Sequence, residues 1–134
     1  MKVVVDVNVV LSSLLKRGKP FDVFAINSLL NRFEFVAPEF LLVELERHKE
    51  RIFKISGLSK EIFDGTLKFI LEQINIIPKS EFSECIPGAE KLLLKHLKDA
   101  PYLALSLKIG CPIFSGDEVL KRLLSETSTE VLSP

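Results

Sequence analysis

Cysteine is scarce. Cys85 and Cys111 form neither a CxxC pair nor a metal-ligand spacing, which argues against a stapled or cysteine-metal framework and for a reduced, cytoplasmic protein with Cys111 as a small buried apolar residue. Charge of one sign is lacking as well. Eighteen basic residues balance eighteen acidic ones, so no broad basic field marks a nucleic-acid binder, and such a partner would need a local patch. No apolar run approaches the length of a bilayer crossing, which excludes a membrane span. The chain opens on a strand-like run rather than a signal peptide. No GxGxxG follows that first strand, which removes a dinucleotide-binding domain. The two histidines, His48 and His96, are paired with no nucleophile and read as surface residues. No repeat, low-complexity tract or linker divides the chain.

What is present is a hydrophobic content of 47% over 134 residues, enough for one compact domain, 1–134, with a real core. Lys2 to Val5 is a continuous β-branched run, the mark of a strand covered on both faces, and Asp6 ends it. Val9 to Leu15 predicts a short helix. After the basic turn Lys16-Arg17-Gly18-Lys19, a second helix is expected over Phe21 to Leu30, with Phe21, Phe24, Ala25 and Leu29 at helical spacing. Phe33 to Val36 reads as a strand, and Pro38 starts a helix carrying Glu44 at the edge of its apolar stripe. Ser56-Gly57 breaks that helix, Ser59 caps the next, and Ile74 to Ile77 is a strand closed by Pro78. A helix from Ala89 to Leu97 then delivers the chain to Asp99.

The organising stretch is DAPYLALSLKIGCPIFSGDEVL, Asp99 to Leu120. Its helix is apolar on nearly every side and must be covered all round. It turns at Gly110 into a strand, Cys111 to Phe114, which runs into Asp117, and a last short strand or tail spans Glu130 to Leu132. Strand and helix alternate, so the expected architecture is α/β: a three-layer α/β/α sandwich around a parallel sheet of four to five strands, with Rossmann-like topology.

Four acids stand out by position: Asp6, Glu44, Asp99 and Asp117. With the first and fourth strands adjacent, Asp6 and Asp117 meet across the switch point, where ligands of open parallel sheets gather. Carboxylates crowded together repel unless a cation joins them. Magnesium suits oxygen ligands and substrate phosphates, and that is nuclease chemistry. Each acid has a plainer role to weigh: Asp6 and Asp99 as helix caps, Glu44 as a half-exposed helix residue, and Ser115 with Glu118 as a capping box beside Asp117.

Taken together, VVVDVNVVLSSLL, LLVELERH and DAPYLALSLKIGCPIFSGDEVL resemble the PIN domain, the PilT N-terminus-like nuclease family that includes VapC-type toxin ribonucleases and RNA-processing factors. The resemblance spans nearly the whole chain. It implies an endoribonuclease dependent on Mg2+ or Mn2+ that hydrolyses single-stranded RNA, and frequent homodimers. Asp6, Glu44, Asp99 and Asp117 would be the metal-binding set, with Asn8 and Ser115 as polar supports. Asp6, Asp99 and Asp117 would be the principal ligands of an ion whose activated water attacks phosphorus in line, with Glu44 holding a second ion or orienting the water. Since net charge is zero, RNA would rest on the metals and on local cations such as Lys16, Arg17, Lys19, Arg47 and Lys49. A toxin would bring a small antitoxin partner; a housekeeping enzyme would not. The rivals are a non-catalytic PIN-like scaffold that binds a protein, and a receiver-like magnesium switch. The receiver is disfavoured by the single acid after the first strand and by Pro78 closing a middle strand without an Asp.

Overall fold

Five parallel strands make one sheet in the order β3-β2-β1-β4-β5: β1 Lys2–Val5, β2 Glu34–Pro38, β3 Ile74–Ile77, β4 Ile113–Phe114 and β5 Val131–Leu132. The computed structural model describes residues 1–15, 20–94, 96–116, 121, 124 and 129–133, with Lys19 described in its backbone alone. Helices α1 (Val7–Leu15), α2 (Lys19–Leu30), α3 (Phe40–Ser56), α4 (Lys60–Leu71), α5 (Ile86–Leu93) and α6 (Ala100–Ile109) fill the connections.

Right-handed crossovers explain the layering. The chain moves from β1 through β2 to β3 in one direction, so α1 to α4 share a face, and α1 packs against α2, α3 and α4. It then returns past β1 to β4, which sends α6 to the opposite face, where it lies on β1 and β2 with α5 beside it. The strand order reverses between β1 and β4. A receiver-like domain has a different order, with the first strand next to the third, so the topology excludes that rival.

Burial follows the sequence pattern. Val3, Val4 and Val5 of β1 are all buried, and so are five successive residues of α6, Tyr102 to Ser106. A helix sunk this deep needs clean ends. Gly110 supplies one at φ 76°, a left-handed C-cap that costs a glycine little. Ser106 Oγ then donates to the Cys111 carbonyl at 2.5 Å, fastening the turn into β4. Gly57 ends α3 the same way at φ 70°, and Ser59 caps α4 through the Ile62 amide at 3.3 Å.

Several expectations shift. The helix expected over Ala89 to Leu97 starts at Ile86, because Pro87 in its first turn needs no amide partner there, and it stops at Leu93; residues 97–99 form a separate 3-10 turn. In α2 the apolar residues do not share one buried face: Phe24 is buried, but Leu29 is 85% exposed. Cys111 is half-buried and precedes β4 rather than belonging to it.

The core is tied by aromatic rings from different elements. Phe24 of α2 meets Phe35 of β2 edge-on, with centroids 5.1 Å apart, and tilts against Phe114 of β4 at 6.5 Å. Phe24 is fully buried. Phe24→Ala should therefore cost about 3–5 kcal/mol, read as a lower urea midpoint with an unchanged slope.

Candidate active site

Parallel pairing of β1 with β4 sets Val5 opposite Phe114, so the next residue of each strand, Asp6 and Ser115, emerge side by side at the carboxyl edge. The Asp6 amide donates to the Phe114 carbonyl at 3.1 Å. Ser115 Oγ donates to Asp6 Oδ2 at 2.8 Å, a bond between residues 109 positions apart. Asp6 Oδ1 accepts from the Asn8 amide at 3.4 Å, inside the first turn of α1. The cap and the switch-point carboxylate are thus the same side chain. Asp6 and Ser115 are each 2% exposed.

Glu44 reaches this edge from α3. It lies between buried Leu41 and Leu45 and the exposed side of the helix, and its Oε1 accepts from the Tyr102 hydroxyl at 2.5 Å, joining α3 to α6. Burial pushes the Glu44 pKa upward, the Tyr102 hydrogen bond lowers it, and the charge of Asp6 raises it again. The two carboxylates therefore feel each other. Burial, followed by the bond to Glu44, holds the Tyr102 hydroxyl far above its ordinary range, so it is a phenol and a donor throughout the working pH range.

Asp99 sits at the position preceding α6, one helical turn before Tyr102, and is 5% exposed. Spacing of three puts these two side chains on one helix face. The plain capping role does not hold, since its side chain makes no capping bond to α6. A capping residue needs extended backbone; Asp99 has φ −88° and ψ −4° because the 3-10 turn runs straight into the helix.

A family model described as PIN domain matches residues 4–132. The chain belongs to the PIN domain family. The family's members are generally nucleases. Among solved structures, the crystal structure of VapBC2 from Rickettsia felis bound to a DNA fragment from their promoter is similar, with TM-score 0.67 and 13% identity over 99% of this chain and 98% of that one. At that identity the likeness concerns the fold. No curated protein matches.

In this PIN domain the expected site divides into parts. Asp6, Ser115 and Glu44 are linked through hydrogen bonds and charge, and Asp99 shares a helix face with Tyr102. Asn8 contributes its backbone amide to Asp6, with its side chain exposed. Asp117 lies outside the described residues, as do Lys16, Arg17 and the Lys19 side chain. Arg47 is exposed and stacks its guanidinium over the Phe40 ring at 5.8 Å. A cation not singled out before is Lys98, whose charge lowers the Glu44 pKa. Tyr102 was read from the sequence as one more apolar position; the signal available was that it is the sole tyrosine, three residues after a candidate acid.

The raised Glu44 pKa fixes a sign. Its folded value lies above its unfolded one, so the folded state holds the proton more tightly, and ionisation weakens the fold as pH rises through the folded pKa. In chelator, Glu44→Gln should melt above the wild type at pH 7, with the gap closing as pH falls to about 4.5. Paired thermal melts across that range check it.

Proposed function

We propose that this PIN domain is a metal-dependent endoribonuclease that hydrolyses phosphodiester bonds of single-stranded RNA, using Asp6, Glu44, Asp99 and Asp117 as its acidic set. The observation that carries the reading is the Asp6–Ser115 bond at the β1–β4 switch point, with Glu44 close enough to feel the charge of Asp6.

The donor chemistry fits a hard divalent cation. Every member is an oxygen ligand, Asp6 and Asp99 are buried, and negative charge accumulated in a poorly solvated place is what Mg2+ or Mn2+ relieves. Among the described residues no three His, Cys, Asp or Glu side chains close around one point. A full protein cage is not required, since magnesium commonly takes one or two carboxylates and completes its shell with water and substrate phosphate. Bound there, the ion would polarise the phosphodiester and ease loss of a proton from a water.

The chain's own residues do the rest. Ser115 and the Asn8 amide fix the orientation of Asp6, and Tyr102 fixes one oxygen of Glu44. Held this way, the carboxylates need little reorganisation when a phosphate arrives. Lys98 is exposed and next in sequence to Asp99, a suitable point charge for an RNA phosphate where net charge supplies no field. The likeness to VapBC2 supports a toxin role with an antitoxin partner; the proposal adds that this partner is small and inserts near the acids, and that the chain pairs as a homodimer.

Single-stranded RNA incubated with Mn2+ or Mg2+ should be cut by the wild type. Asp99→Asn should cut at least about a hundredfold more slowly. Added Mn2+ should raise the wild-type Tm, and Asp6→Asn should abolish that rise. A wild type that neither cleaves nor shifts with metal would instead be a binding scaffold.

A further inference from the structure

Tyr102 is the one tyrosine in a chain without tryptophan, and it is 1% exposed. Its hydroxyl is spent on the side chain of a residue 58 positions away, Glu44. A buried tyrosine needs a partner for its hydroxyl, yet a backbone carbonyl would serve as well. Here the partner is a half-buried carboxylate beside Asp6, and α6, which carries Tyr102, also carries Asp99 one turn earlier. Glu44 accepts this bond at Oε1. Among the described residues no other hydrogen bond to Glu44 is seen, so its two oxygens are inequivalent: one tied down by the core, the other left to the edge of the sheet.

We propose that Tyr102 is the positioning residue for Glu44: by tethering Oε1 it holds the glutamate's remaining oxygen towards the divalent cation that Asp6 and its neighbours bind, and so couples the fold of α6 to metal affinity. The inference rests on the metal-site reading of the acidic edge. Outer-sphere partners of ligating carboxylates act in this way, and losing one typically weakens metal binding 10- to 100-fold. Without the tether, a glutamate on a half-exposed helix samples several rotamers, and holding one of them for the ion costs affinity.

The test uses the full chain and Mn2+ or Mg2+ alone. Tyr102→Phe keeps the ring and deletes the hydroxyl, so circular dichroism should be unchanged. Calorimetric titration with Mn2+ should give a Kd raised about tenfold over wild type. The effect should vanish in the Glu44→Gln background, because a residue acting through Glu44 has nothing further to lose there; a merely structural role would add its cost in both backgrounds. Unchanged Mn2+ affinity in Tyr102→Phe, or equal losses in both backgrounds, overturns the role of Tyr102 while leaving the metal site standing. A wild type that takes up no Mn2+ overturns both.

Discussion

Burying the Asp6 carboxylate at the edge of a hydrophobic sheet, with Glu44 close enough to feel its charge, is a constraint the surrounding structure has to meet. Ionised groups lose solvation when buried, and Asp6 and Asp99 are almost wholly covered while Glu44 is half so. Much of the surrounding structure answers that cost. Asp6 takes a hydroxyl on one oxygen and an amide on the other, and charge-assisted bonds of this kind contribute about 1.5–3 kcal/mol each. Glu44 takes the Tyr102 hydroxyl. The Ser115 hydroxyl, the Asn8 amide and the Tyr102 hydroxyl are neutral donors, so these bonds ease the burial of the acids without themselves neutralising them.

The same bonds determine where the sheet edge lies. β4 and β5 are only two residues each, too short to hold register by ladder bonds alone. The Asp6 amide to Phe114 and the Ser115 amide to Leu132, at 3.1 and 2.9 Å, extend the ladder by one step past each strand, and the Ser115 hydroxyl closes it over Asp6. A one-residue slip would turn Ser115 away and present the Phe114 ring to the acid. Strand register and site geometry are therefore one constraint, and a substitution at Ser115 is felt in both.

How much of this could be read in advance follows from which signals are local. Val3 to Val5 and the buried helix before Gly110 were legible because burial on all sides leaves an apolar run, and Ile74 to Ile77, an edge strand only partly buried, was legible from its β-branched residues and the closing Pro78. Glu44 was legible as an edge residue from helical angle alone, and the structure puts it there, between buried Leu41 and Leu45 and exposed neighbours. The adjacency of first and fourth strands expected at the switch point is what the sheet shows; the meeting expected there was of Asp6 with Asp117, which lies outside the described residues, and the bond seen is from Ser115 to Asp6. Helix boundaries near Pro87 and the exposure of Leu29 were not legible, since each depends on what tertiary contact offers at that spot. The plainer role weighed for Asp99, a helix cap, is not what the structure shows, since residue type favours capping and the backbone that a preceding 3-10 turn imposes does not. The link from Tyr102 to Glu44 joins two helices through one bond and leaves no periodic trace.

On the proposed nuclease reading, a neutral protein that brings carboxylates to a sheet edge has an electrostatic problem with RNA, which is itself an anion. Bulk attraction cannot solve it at zero net charge. Cations at the rim can, provided they stand beside the acids rather than among them. Lys98 meets that condition: its charge is felt by Glu44, yet it does not bond to it. His48 instead has its Nδ1 facing the Arg51 guanidinium at 3.3 Å, and Arg47 is occupied with Phe40. On the same reading, a polyanion approaching this edge would meet carboxylates with Lys98 beside them, an arrangement that a divalent ion among the acids would make more attractive. Cation and RNA would then bind with positive coupling, each lowering the electrostatic cost of the other.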